Sequence, residues 1–148
     1  MIIREAVAAD LPAILALLAE DRRGAVEDSD PADPQVLTAF TTITEDPRER
    51  LLVVEEDGRI VGTAQLSLLP GLSNGGRPRA QIEAVRIASD RRGAGLGAAL
   101  IAFCIAEARR HGCWVVQLTS NATRTDARRF YERQGFSASH TGFKLVLD

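Results

Sequence analysis

The chain has 148 residues, 45% hydrophobic and 26% charged, with a formal net charge of −2. That length suits one globular domain, 1–148, and the composition is neither disordered nor fibrous. The near-neutral balance argues against a nucleic-acid partner, and no apolar run approaches the ~20 residues of a membrane span. Met1-Ile2-Ile3-Arg4-Glu5 lacks the basic-then-apolar order of a signal peptide, so a cytoplasmic protein is expected. Cys104 and Cys113 form no C-x-x-C pair and His111 and His140 stand alone, so no metal is expected.

A short strand at 2–6 opens the chain. Asp10 offers an N-cap and Pro12 a first-turn residue for a helix to about 20, with Leu11, Ile14, Leu15, Leu17 and Leu18 amphipathic. An acidic loop, 21–33, leads to a second helix, 34–45, with Val36, Leu37, Phe40 and Ile43 at helical spacing. The period then changes. Strands at 51–55 and 60–69 flank Asp57-Gly58, a hairpin turn signal. A glycine-bearing loop, 70–78, precedes a third sheet segment, 79–89. Next come a glycine-rich turn, 91–97, a deeply packed helix to about 111 stopped by Gly112, and a strand at 114–119. A helix at 125–134 places Ala127, Phe130, Tyr131 and Gln134 on one face. Strands at 136–140 and 143–147 around Thr141-Gly142 would close the chain as a hairpin. The order is β-α-α-β-β-β-α-β-α-β-β, an α/β (α+β) pattern.

The glycine-rich turn carries the chemistry. Bare amides at a helix start and the positive end of its dipole suit a phosphate, and glycines let the main chain approach it closely. Arg91 and Arg92 add charge, so Arg92, Gly93, Ala94, Gly95, Leu96, Gly97 and Ala98 form a candidate diphosphate cradle. No Lys-Ser/Thr follows the last glycine, which excludes a nucleotide P-loop. Gly93-x-Gly95-x-x-Ala98 fits a dinucleotide fingerprint, but the next strand carries no acid where one is required, at Val116-Gln117-Leu118-Thr119.

Arg92-x-x-Gly95-x-Gly97 resembles the coenzyme A signature of the GNAT superfamily of N-acetyltransferases. Gln81-Ile82-Glu83-Ala84-Val85-Arg86-Ile87 is similar to its central strand, and Ala127-Arg128-Arg129-Phe130-Tyr131-Glu132-Arg133-Gln134-Gly135-Phe136 to its A-x-x-F-Y-E-x-x-G-F segment. The likeness covers about 79–147. It implies a mixed, mostly antiparallel sheet flanked by helices on both faces, with acetyl-CoA as co-substrate. The pantetheine arm would lie against Val85, Arg86 and Ile87, with Asn121, Ala127 and Tyr131 also touching the cofactor. Many members carry Asn where this chain has Arg124, and Asn121 is the alternative contact. By the same resemblance Tyr131, the chain's only tyrosine, is the general acid toward the departing thiolate, and Val85 N–H polarises the thioester. Glu83 is a candidate base, with His140 or a water chain as its rivals.

The expected activity is acetyl transfer by direct attack of a primary amine in a ternary complex. The alternatives are a non-catalytic acyl-CoA-binding sensor module and a dinucleotide-dependent oxidoreductase. Glu20, Asp21, Glu27, Asp28, Asp30 and Asp33 would draw a cationic small-molecule acceptor, with Glu27 and His140 on the substrate side. Homodimers are common in the family.

Overall fold

The computed structural model describes residues 1–20 and 29–148, and the chain falls into two compact units, 1–117 and 118–148. The first contains β1 (Ile2–Glu5), α1 (Leu11–Glu20), α2 (Pro34–Glu45), β2 (Glu49–Glu56) and β3 (Arg59–Leu69). It continues with the four-residue α3 (Ser73–Gly76), β4 (Arg79–Ile87), α4 (Leu96–Arg110) and β5 (Val115–Gln117). The sheet order is β1-β2-β3-β4-β5. Neighbours through β4 are antiparallel, and β5 runs parallel to β4.

Local chemistry explains these elements. Asp57 and Gly58 both take positive φ, 49° and 76°, as a primed hairpin turn between β2 and β3 requires. The Asp33 carboxylate accepts the Gln35 N–H at 2.8 Å and Pro34 opens α2, so the helix starts where the sequence places it. Gly112, at φ 74°, ends α4. Its N–H reaches Arg109 O, and Cys113 N–H reaches Ala108 O, both at 3.0 Å, the paired bonds of a Schellman cap.

Leu52, Val53 and Val54 are consecutive and have no exposed surface, so both faces of the sheet are covered. Val53 packs with Ala6 and Ile14, backed by Leu18 and Phe40 from α1 and α2. Helix α4 packs on β3, β4 and β5, burying Leu100, Ile101 and Cys104.

Three expectations change. Asp10 does not cap α1. It ends a 3-10 turn, Ala8–Asp10, where its carboxylate accepts the Val7 N–H at 2.8 Å and two Arg4 guanidinium bonds at 2.7 and 3.1 Å. A buried carboxylate is held by a cation in preference to a helix end. The 70–78 loop contains α3, shaped by positive φ at Asn74, Gly75 and Gly76.

In the second unit α5 (Thr125–Arg133) forms as expected, but 136–148 carries no strand. The closing hairpin is absent because neither Thr141 nor Gly142 adopts the positive φ a tight hairpin turn needs.

The Arg4 guanidinium holds the Asp10 carboxyl below the usual carboxylate range. A depressed folded-state pKa contributes stability above the unfolded value, about 3.9, that is lost as pH falls through the folded value. Asp10→Asn should therefore cost about 1–3 kcal/mol at pH 7. In urea titrations that gap should close in acid, below about pH 3.9; a gap independent of pH would contradict the pairing.

Candidate functional site

Strand β4 organises the first unit's site. Its pairing with β3 slips between Thr63 and Gln65, and opposite that slip Ala84 sits at φ 54°. A left-handed alanine is strained, and strain of this kind collects at functional sites. Beyond the bulge, Ala88 N–H bonds Val61 O at 2.8 Å. Strand alternation then turns the Val85 and Ile87 main chain away from β3, toward the side on which β5 pairs. The β5 ladder reaches only Arg79, Ala80 and Gln81. The two carbonyls are met by side chains instead. Arg86 Nη1 donates to Val85 O at 2.9 Å and Arg92 Nε to Ile87 O at 3.2 Å. Arg86 Nε is left buried without an acceptor among the described residues.

The glycine-rich turn follows at once. Gly93 and Gly95 take φ 82° and 83°, and a Cβ on either would meet only open space, so both leave the main chain bare. Ala99 N–H closes onto Gly95 O at 3.1 Å, so the Leu96, Gly97 and Ala98 amides have no helical acceptor, and no side chain caps the helix. Of the two entrance arginines, Arg91 is engaged, paired with Glu56 at 2.8 and 3.1 Å. That pairing holds the Glu56 carboxyl below its usual range. Arg92 is exposed.

Glu83 is exposed and accepts a bond from the Gln81 amide, which in turn accepts from Gln117 at 2.9 Å. Of the acids expected to draw a cation, the three described ones accept main-chain N–H groups. Glu20 accepts from Ser89 N–H at 3.2 Å, Asp30 from Ala32 N–H at 2.8 Å, and Asp33 caps α2. Glu27, Asp21 and Asp28 lie outside the described residues. Among the described residues no group of three or more His, Cys, Asp or Glu gathers for a metal.

In the second unit, Phe136 N–H bonds Tyr131 O at 3.1 Å and Gly135 N–H bonds Glu132 O at 3.0 Å, again a Schellman cap. The cap explains the Y-E-x-x-G-F spacing: Gly135, at φ 98°, turns the chain and brings Phe136 edge-on to Tyr131 at 6.0 Å, with Phe130 at 5.1 Å. Tyr131 and Ala127 are half-buried. Asn121 accepts from Thr123 N–H and hydroxyl at 3.0 and 2.7 Å, a turn ahead of α5. His140 Nδ1 meets the Ser139 hydroxyl at 2.7 Å in the open.

The chain matches the sequence model of the Acetyltransferase (GNAT) family over residues 11–136. It is 41% identical over 90 residues to glucosamine 6-phosphate N-acetyltransferase of Trypanosoma brucei brucei, covering 61% of this chain and 59% of that protein. It is 30% identical over 102 residues to aminoalkylphosphonate N-acetyltransferase of Salmonella typhimurium strain LT2, covering 69% and 66%. The matches thus span less than two thirds of either relative. The solved structure of a transcriptional regulator from Bacillus halodurans C-125 aligns at 38% identity with a TM-score of 0.94, covering 99% of both chains.

Sequence reasoning missed the special role of Ala84, because alanine carries no signal for a left-handed backbone. Alanine there costs roughly 1–2 kcal/mol and glycine's extra entropy roughly 0.5–1. Ala84→Gly should therefore gain about 0.5–1 kcal/mol and raise Tm by a few degrees. An unchanged or lower melting temperature would mean that the bulge is unstrained.

Proposed function

The chain belongs to the acetyltransferase (GNAT) family, and from that premise we propose that it transfers an acetyl group from acetyl-CoA to the primary amine of a small molecule, by direct attack in a ternary complex. The observation that carries this reading is a bared helix start directly after a strand edge that β5 leaves unpaired. The Leu96, Gly97 and Ala98 amides and the α4 dipole suit a diphosphate, with Arg92 adding charge. Val85 and Ile87 supply main-chain groups for an extended amide-bearing arm, and Val85 N–H polarises the thioester carbonyl.

The amine nitrogen attacks the carbonyl carbon, forming C–N as C–S breaks. The nitrogen gives up a proton through water to Glu83, and the Tyr131 hydroxyl protonates the thiolate. Tyr131 takes this part on the strength of the 127–136 motif, and His140 is the rival base. Glucosamine 6-phosphate and aminoalkylphosphonates, the acceptors in the relatives' names, are both small amines. Free Cys104 and Cys113 agree with a reducing cytoplasm. The Bacillus halodurans regulator favours a second reading, in which the domain binds an acyl-CoA without turnover.

Self-association belongs to this proposal. Phe143, Leu145, Val146 and Leu147 are 93, 86, 91 and 83% exposed. A second copy supplies a matching patch. Phe143→Asp with Leu145→Asp should turn a sedimenting dimer into a monomer; a monomeric parent would sink the idea.

Release of free thiol from acetyl-CoA with a panel of amines tests the reaction and separates it from the sensor reading. Tyr131→Phe should cut kcat by about 10²-fold or more while calorimetric acetyl-CoA affinity changes by no more than roughly twofold. Undiminished turnover would remove Tyr131 from the mechanism.

A further inference from the structure

Between α1, α2 and the α2-facing side of β3 and β4 lies a cavity of about 190 Å³. Among the described residues no charged side chain lines it. Its walls are hydrocarbon: Ile14 and Leu18 from α1, Phe40 and Ile43 from α2. The two polar lining residues have donors already engaged. Thr63 Oγ1 donates to Leu52 O at 2.9 Å, and Gln65 Nε2 to Glu49 at 3.1 Å. The exposed Ala39 stands at the mouth. Helix α2 buries no residue completely, although Val36, Phe40 and Ile43 fall on one face. A well-packed interior does not leave such a space dry without cost, whereas ligand sites are apolar hollows of this kind.

The position of the cavity gives it meaning. Its floor includes Ala84, the strained bulge residue next to Val85. We propose that this cavity seats the hydrocarbon body of the acceptor amine, so that the acceptor is an alkyl- or arylalkylamine with roughly six to eight carbons. That size follows from volume, since a cavity of ~150 Å³ takes benzene. The inference rests on the acetyl-transfer reading. In that reading the diphosphate lies at α4, on the opposite side of the sheet from α1 and α2, and the amine approaches Val85 from the α1–α2 side. Among the described residues no cation lines this hollow to meet a phosphorylated amine.

The test uses the full chain and acetyl-CoA with ethylamine, butylamine, hexylamine, 2-phenylethylamine and glucosamine 6-phosphate. Each buried methylene contributes about 0.8 kcal/mol, close to fourfold. Four methylenes separate ethylamine from hexylamine, so kcat/KM should rise by about two-hundredfold when all four are buried. Ala39→Phe, or Val36→Phe one turn earlier should the first variant misfold, should cut the hexylamine-to-ethylamine ratio by about tenfold, with acetyl-CoA calorimetry as the check on folding. Rates that are flat with chain length, or glucosamine 6-phosphate outrunning hexylamine, overturn the inference and leave acetyl transfer standing. Dependence on acyl-CoA length at a fixed amine assigns the cavity to the acyl group and also overturns it. No thiol release with any amine overturns it together with the transfer reading.

Discussion

The short reach of β5 along β4 is the constraint on which the proposed site depends. The two strands share a ladder only through Arg79, Ala80 and Gln81, closed by the Gln81–Gln117 side-chain bond, while β4 continues to Ile87. A strand edge without a partner must satisfy its polar groups some other way. Here two guanidinium groups take the Val85 and Ile87 carbonyls. An arginine side chain can swing aside, whereas a neighbouring strand cannot, so the edge stays bonded and remains available. Had β5 run on in register, the same carbonyls would be locked in the sheet.

The segment that ends β4 is braced to the opposite hairpin. Arg59 pairs with Asp90 at 2.7 and 2.9 Å, and Arg91 with Glu56 at 2.8 and 3.1 Å, straddling the 3-10 turn at Ser89–Arg91. Each pair, exposed or half-buried at the surface, contributes little to stability alone. Together they fix where the turn leaves the sheet, and so where the α4 amides point. Geometry matters more here than energy, because the proposed diphosphate would depend on the convergence of bare amides.

Much of this was readable from residues whose chemistry is local. Asp33-Pro34 starts α2, Asp57-Gly58 turns the hairpin, and Gly112 and Gly135 stop helices, each by a conformation few other residues adopt. The turn at Gly93 and Gly95 was readable for the same reason. What escaped depends on tertiary context. Asp10 looks like a cap until Arg4 is seen beside it. Thr141-Gly142 looks like a hairpin until its φ values are known. Ala84 and the cavity above it carry no sequence mark, since an alanine at a bulge and an apolar helix face over a void are spelled like ordinary core.

The proposed acceptor chemistry and the proposed base belong together. Glu83 is exposed and bonded to Gln81, a setting that does not isolate it with a substrate ammonium. Attack needs the neutral amine, and moving an ammonium toward a low-dielectric wall disfavours its charge. An apolar cavity beside Ala84 would thus lower the amine's own pKa as it binds. The proton would then leave through water to the Glu83 carboxylate. A hollow lined with carboxylates would do the opposite, stabilising the charged form that cannot react. The burial of apolar surface at α1 and α2 would therefore select the acceptor and help ready its nitrogen for attack.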